Sequence, residues 1–200
     1  AGNCAITASQ AGDTNYAAAE PVQQSFSIGL AIQNIKFAKI ANQKFLKGGT
    51  LIASATGGES GQPVTFTSST KGVCTAGGTN GSTITFVSAG KCSVTASQAG
   101  NASYEAAQPV TQSFAIGQAE QKITFEKIED RPFVPGGRMM LSAAGGASGL
   151  PVVFSSATSA VCRTGGTNGA TVTYASAGTC SIKASQAGKA NYEAAAPVTR

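Results

Sequence analysis

One cysteine-containing segment occurs three times in this 200-residue chain at a fixed interval, and it constrains the fold more than any other feature. The segment is an alternating run closed by a glycine turn, at residues 90–100 in its middle copy. The cysteines of the three copies are Cys4, Cys92 and Cys180, and successive copies are 88 residues apart. A fixed period of this length indicates tandem structural repeats. The chain is therefore expected to consist of copies of one unit.

The period divides the chain into three stretches. Residues 30–117, the central unit, align without gaps on residues 118–200, the C-terminal unit, and more than half of the aligned positions are identical. Residues 1–29, the N-terminal segment, match the closing part of the central unit. We interpret this segment as the C-terminal part of a truncated repeat. We interpret the C-terminal unit as a repeat without its last strand, since Arg200 precedes any counterpart of the Ser-Phe-Ala-Ile-Gly run at 113–117.

Within a unit, apolar residues recur at every second position. Val64 and Phe66 alternate with threonines, as do Ile84 and Phe86, and no stretch shows a helical period. Short alternating runs of β-branched residues between Gly, Pro and Asn are typical of strands. The pattern predicts seven strands in the central unit, near 34–38, 50–55, 63–68, 72–76, 82–87, 91–98 and 111–116. This number of short strands indicates an all-β fold in which two antiparallel sheets pack as a sandwich.

An Asn-Gly pair stands between two predicted strands in each unit, at Asn80-Gly81 and Asn168-Gly169. Asn-Gly is the strongest short-range signal for a β-hairpin, because both residues tolerate positive φ. We therefore predict a hairpin between the strands near 72–76 and 82–87.

Five cysteines occur at regular positions. Cys74 and Cys92 are 18 residues apart, and Cys162 and Cys180 repeat this spacing. Metal binding is the alternative to disulfides, but the chain has no histidine and no Cys-x-x-Cys. We predict the disulfides Cys74–Cys92 and Cys162–Cys180, each stabilising its unit by about 3 kcal/mol in an oxidising compartment. We expect Cys74 to end a strand and its bridge to join the sheets; the partner of Cys4 would lie upstream of the chain.

The composition argues against catalysis. Without histidine, and with nine carboxylates spread over 200 residues, the chain offers no Ser-His-Asp triad and no cluster of metal ligands. Glu126, Glu129 and Asp130 form the one acidic cluster. It neighbours Lys127 and Arg131, so we favour a solvated edge over a calcium site there. We expect no enzyme activity, no cofactor and no membrane span, since no apolar stretch approaches about 18 residues.

Two recurrent motifs allow a binding interpretation, yet they fit structural roles better. The Gly-Gly-Thr-Asn-Gly run at 77–81 is similar to a phosphate cradle, but no Lys-Ser/Thr pair closes it, which favours a turn. Tyr16, Tyr104 and Tyr192 recur once per repeat. A sugar-stacking platform needs several aromatic rings together, so we predict that each tyrosine anchors the loop before the last strand.

Four lysines give the central unit a basic edge: Lys36, Lys39, Lys44 and Lys47. The formal net charge of the chain is +5, and such an edge favours polyanions, either nucleic acid or anionic glycans. The aligned positions of the C-terminal unit carry Thr, Lys, Pro and Pro. Because the edge is not repeated, we keep these lysines as a candidate polyanion patch and do not expect nucleic acid as the natural partner.

The run Cys-Ser-Val-Thr-Ala-Ser-Gln-Ala-Gly-Asn-Ala-Ser-Tyr-Glu-Ala-Ala at 92–107 resembles the closing strands of bacterial immunoglobulin-like (Ig-like) repeats of the Big type. Such repeats occur in tandem in large secreted and cell-surface proteins. The same ending occurs in residues 1–29 and 180–200, so the resemblance covers the whole chain. It implies tandem Ig-like sandwiches. The paired cysteines depart from many such repeats, and the Trp of antibody domains is absent.

We expect a structural stalk or spacer in a bacterial extracellular adhesin, surface protein or fibre. The short link at 117–120 favours a semi-rigid rod. One alternative is an adhesion module whose loops bind a surface glycan or a host protein. Another is a filament subunit, in which residues 25–29 of one molecule complete the C-terminal unit of another by strand addition. The expected partners are neighbouring repeats of the same protein and other copies in a fibre.

Overall fold

The structure, a computed structural model, describes residues 1–200 and is built of strands and loops. Strands β1 (Gly2–Ala8) and β2 (Val22–Ile28) form an antiparallel hairpin in the N-terminal segment. The strands of the central unit are β3 (Gln43–Lys44), β4 (Thr50–Ile52), β5 (Val64–Ser68), β6 (Cys74–Gly77), β7 (Thr83–Phe86), β8 (Gly90–Gln98) and β9 (Val110–Gly117). Those of the C-terminal unit are β10 (Arg138–Met140), β11 (Val153–Ser156), β12 (Cys162–Gly165), β13 (Thr171–Tyr174), β14 (Ile182–Ser185) and β15 (Val198–Thr199).

The central unit is a sandwich of two sheets. One sheet has the order β3-β9-β8-β5 and the other has the order β4-β7-β6. The second, fifth and fourth strands thus share one sheet, as in the Ig fold, and face the other four. Ile84 from one sheet and Val94 from the other are fully buried in the shared core. The predicted all-β sandwich of about seven strands is confirmed.

The C-terminal unit repeats this packing without a counterpart of β3, and its β11, β14 and β15 are shorter than the aligned β5, β8 and β9. Its sheets have the orders β10-β13-β12 and β11-β14-β15, and its own core includes Val172 and Ile182. Phe125 and Phe154 pack with ring centroids 5.3 Å apart. The aligned rings of the central unit, at 37 and 66, lie 5.5 Å apart. The repeated sequence therefore produces a repeated core.

The predicted strand near 34–38 is wrong. Ile35 and Phe37 are buried as the alternation requires, but the only ladder contact there is an isolated bridge between Lys36 and Thr56. The first strand is instead β3, which pairs in parallel with the end of β9. Alternation thus identified the buried side chains of this segment and not its backbone pairing, because burial and hydrogen bonding are separate requirements.

The Asn-Gly pair does sit in a hairpin loop, between β6 and β7, but not as a two-residue turn. Gly77 lies opposite Thr83, and a 3₁₀ turn at Thr79–Gly81 closes the loop. Asn80 has φ 55°, the left-handed region that asparagine tolerates better than most residues. Asn168 has the same φ in the C-terminal unit.

Buried glutamines fix the loops at one end of each unit. In the central unit, the Gln98 Nε2 donates to the Gln62 carbonyl at 2.8 Å, and the Gln98 Oε1 accepts from the Gly58 N–H at 2.7 Å. The Gln33 Nε2 donates to the Glu105 carbonyl at 2.7 Å. The C-terminal unit repeats these networks with Gln121 and Gln186. A buried amide must find such partners, so these side chains tie loops that the sheets do not reach.

Candidate functional site

Each of the two units contains one disulfide. Cys74 and Cys92 have Cα atoms 5.7 Å apart, and Cys162 and Cys180 have Cα atoms 5.6 Å apart. In the central unit the bridge runs from the first residue of β6 to β8, which belongs to the opposite sheet. The expectation that Cys74 ends a strand is wrong, since it begins one. Cys4 is a free, half-buried thiol on β1.

The link between the central and C-terminal units is held by a loop of the C-terminal unit. The Ala119 N–H donates to the Asn191 carbonyl at 2.8 Å, and the Glu193 N–H donates to the Ala119 carbonyl at 2.9 Å. The Gln118 side-chain amide donates to the Ala190 carbonyl at 2.8 Å. We call residues 189–193 the junction loop. Its backbone and the link therefore form one hydrogen-bonded piece.

The junction loop also contacts the central unit directly. Tyr192 packs edge-to-face on Phe45, with ring centroids 5.9 Å apart, and it touches the central core. The Asn191 Oδ1 accepts a hydrogen bond of 2.8 Å from the Ala89 N–H. An aromatic pair of this geometry contributes about 0.5–1.5 kcal/mol beyond its buried area. Side chains of one unit thus complete the packing of the other.

An ion pair lies at the rim of the same contact. The Lys44 Nζ donates to the Glu193 Oε1 at 3.0 Å, and the two side chains are 64% and 45% exposed. The hydrogen bond to Glu193, with its negative charge, raises the pKa of Lys44 above the usual 10.5. An exposed pair of this kind contributes little to stability but favours one orientation of the two units.

The three recurrent tyrosines lie in different surroundings. Tyr104 and Tyr192 form equivalent parallel bridges, with Ala31 and Ala119 respectively, but only Tyr192 also packs across the junction, and Tyr16 is 75% exposed. Sequence reasoning assigned all three to loop anchoring and missed the contact of Tyr192 with Phe45. The one available signal was that Phe45 has an aligned counterpart, Phe133, outside any alternating strand pattern.

The four candidate lysines lie between residues 36 and 47, and all are exposed. Lys44 is held by Glu193, whereas the other three lysines, at 36, 39 and 47, make no ion pair. The polyanion patch remains a prediction that rests on charge alone.

The acidic cluster of the C-terminal unit is a surface feature. Glu129 pairs with Lys127 at 3.3 Å, and both side chains are more than three-quarters exposed. No group of three or more potential ligand side chains (His, Cys, Asp or Glu) converges as a metal site would require. No helix of the structure has the length and apolar character that a bilayer span needs.

No protein-family model and no curated protein matches the sequence. Among solved structures, domains EC22–24 of mouse cadherin-23 are 13% identical over 98% of this chain and 71% of that chain, with a TM-score of 0.36. Extracellular domains 1–4 of protocadherin gamma B7 are 13% identical over 100% of this chain and 56% of that chain, with a TM-score of 0.37. The human desmocollin-1 ectodomain is 10% identical over 92% of this chain and 44% of that chain, with a TM-score of 0.28. Likeness at this level says nothing about ligands or partners.

Proposed function

We propose that the chain is a semi-rigid spacer made of tandem Ig-like domains, with boundaries near residues 29 and 117. The observation that carries this proposal is the junction, where Tyr192 of one unit packs on Phe45 of the other while the link is hydrogen-bonded to the same loop. Two domains joined only by a flexible link would move independently. Here the contact restricts the motion of each unit relative to the other. This suits a spacer, which keeps its two ends a fixed distance apart.

We further propose that this spacer works outside the cytosol, on or near a bacterial cell. The disulfides support an oxidising compartment, because such bridges persist in secreted and periplasmic proteins and are rare in the cytosol. The bacterial surface is supported by the sequence resemblance of residues 92–107 alone. Neighbouring repeats of the same protein are the partners that the junction best fits.

The spacer proposal can be tested by residual dipolar couplings measured by NMR on the 19.8 kDa chain. If the junction is rigid, a single alignment tensor will fit the amides of residues 30–117 and 118–200 together. Tyr192→Ala removes the aromatic contact, and we expect the couplings of this variant to require a separate alignment tensor for each unit. Tyr104→Ala is the matched control, because this residue occupies the same loop position away from that junction. Two tensors in the unchanged chain would contradict the proposal.

An adhesion module is the second candidate, favoured only by the exposed basic edge. The loops that would recognise a ligand are nearly unchanged between units, which argues against specific recognition. Triple replacement of Lys36, Lys39 and Lys47 by Ala tests this idea against a heparin-type glycan and DNA at low salt. Binding that the replacement abolishes would support the module, and absence of binding in the unchanged chain would dismiss it.

A further inference from the structure

The outer face of the sheet β10-β13-β12 carries two arginines in one row. Arg138 of β10 and Arg163 of β12 both lie opposite Thr173 of β13, one on each side of it. Their chain neighbours Met139 and Cys162 pack in the core of the C-terminal unit, and side chains alternate between the two faces of a strand. Both arginines therefore point away from the core, and both are exposed.

The charge of this row is not compensated within the protein. Adjacent strands lie about 4.8 Å apart, so the Cα atoms of residues on either side of a third strand are about 10 Å apart. Arg163 donates one side-chain hydrogen bond, from its Nε to the Ser159 carbonyl at 3.3 Å, and the Arg138 guanidinium donates none. Neither arginine forms an ion pair, and the three strands contain no Asp or Glu. The row therefore presents two positive charges whose terminal N–H groups are free to bind an anion.

The central unit shows that the same sheet forms without this charge. The corresponding row of its sheet β4-β7-β6 consists of Thr50, Thr85 and Thr75. The middle threonine is retained at position 173, whereas both flanking threonines are replaced by arginine in the C-terminal unit. Since threonine suffices at both flanking positions for the fold, the two arginines are available for another role.

The shape and composition of the face distinguish between classes of anionic ligand. A guanidinium group binds sulfate, carboxylate or phosphate through two parallel hydrogen bonds. The next row of the face consists of Met140, Thr171 and Gly165, so the face carries no aromatic ring. Single-stranded nucleic acid is bound largely by stacking on aromatic rings, and the major groove of a duplex admits a helix or a two-stranded ribbon. A linear polysaccharide requires neither feature.

We propose that the outer face of the sheet β10-β13-β12 binds a linear polysaccharide that carries sulfate or carboxylate groups. One anionic group binds the Arg138 guanidinium, and a second, on a sugar further along the polymer, binds that of Arg163. The Thr173 hydroxyl lies between them and hydrogen-bonds to a sugar hydroxyl. The site is separate from the lysines at 36, 39 and 47, and it does not depend on the rigidity of the junction. It adds binding along the side of the molecule to the role of a spacer.

An NMR titration of the 200-residue protein at low salt tests the proposal. The two probes are a heparin hexasaccharide, which carries sulfate groups, and an alginate oligosaccharide, which carries only carboxylates. We expect the amide signals of Thr171–Tyr174 to shift to saturation with at least one probe. The shifts should reverse when added salt screens the exposed charges. Unchanged signals with both probes would overturn the proposal.

Substitutions assign the binding to the two arginines. The double replacement of Arg138→Thr with Arg163→Thr gives this row the residues of the central unit, so the shifts should be lost while the core amides keep their positions. Lys183→Thr is the control, because it removes a positive charge from β14 in the opposite sheet. This variant should bind like the unchanged chain. Shifts that persist in the double variant, or that are lost in Lys183→Thr, would overturn the proposal.

The reverse exchange tests whether the row is sufficient. Thr50→Arg combined with Thr75→Arg should create a second site on the central unit, seen as new shifts of the Thr83–Phe86 amides. No new shifts there would overturn the proposal that two arginines flanking a threonine form the site. A single-stranded DNA oligonucleotide that shifts the Thr171–Tyr174 amides when neither polysaccharide does would overturn the ligand class and assign the face to nucleic acid.

Discussion

The hairpin β1–β2 and the hairpin β8–β9 have nearly the same sequence and the same register, yet the apolar face of the first is exposed and that of the second is buried. Cys4 lies opposite Phe26 in the first, as Cys92 lies opposite Phe114 in the second. Every residue of β2 is exposed, whereas the apolar residues on the inner face of β8 are buried. The difference comes from the sheet β4-β7-β6, which covers only the second hairpin.

The comparison separates local from long-range determinants. The turn that precedes the tyrosine is alike in both hairpins. The Asp13 Oδ1 accepts from the Tyr16 N–H at 2.9 Å, and the Asn101 Oδ1 accepts from the Tyr104 N–H at 3.0 Å. Pairing and turns therefore follow from neighbouring residues, while stability must come from burial against other strands.

The largest expected effect is at the phenylalanine of the two hairpins. Phe114→Ala should lower the free energy of unfolding of the central unit by about 3–5 kcal/mol, because it empties a filled core position. Phe26→Ala removes an exposed ring and should change the free energy of unfolding by no more than about 0.5 kcal/mol. Urea denaturation of both variants measures the difference. Equal losses would show that the first hairpin is buried against something in solution.

The cysteines give the next contrast. Replacing Cys74 and Cys92 together by Ala should destabilise the central unit by about 3 kcal/mol, because the unfolded chain regains the freedom that the bridge removes. Cys4→Ala removes a thiol without a bridge and should leave the urea midpoint unchanged. A shift in that midpoint as large as that of the double variant would contradict the comparison.

Gln98 and its counterpart Gln10 form the third pair. Gln98→Ala leaves the Gly58 N–H and the Gln62 carbonyl without their partner and should cost about 1–3 kcal/mol. Gln10 is exposed, so Gln10→Ala should be neutral within about 0.5 kcal/mol. Hydrogen exchange of the Gly58 amide should accelerate in the first variant alone, and unchanged protection would show that another group replaces the glutamine.

The smallest expected effect is on two aligned loops, the one between β8 and β9 that contains Glu105 and the one between β14 and β15 that contains Glu193. Because the pKa of Lys44 is raised in the folded state, its ion pair with Glu193 is fully formed below the usual 10.5 and is lost as pH rises through the raised pKa. We expect the amide signals of Asn191 and Glu193 to shift in that range. The aligned Glu105 has no ion pair, and its amide should stay in place.

Much of the sandwich could be predicted from the sequence, because alternation of apolar residues marks a half-buried strand. The predicted strands near 63–68 and 91–98 agree with β5 and β8 within one residue. The two-residue β3 could not be predicted in this way, since its parallel pairing with β9 depends on a strand more than 60 residues away. The packing of Tyr192 on Phe45 was equally inaccessible, because it joins two units that the repeat pattern treats as identical.

The disulfide of the central unit has a mechanical consequence. A spacer under tension is pulled from its two ends. A covalent bridge between Cys74 and Cys92, whose sequence separation is 18, removes the loop between them from the path of the force. When such a unit ruptures, it releases roughly 60 Å less chain than an unbridged unit of equal length, at about 3.4 Å per extended residue. The C-terminal unit carries the same bridge. Successive units would therefore lengthen in short, equal steps, and the hairpin β6–β7 would remain enclosed in its loop throughout.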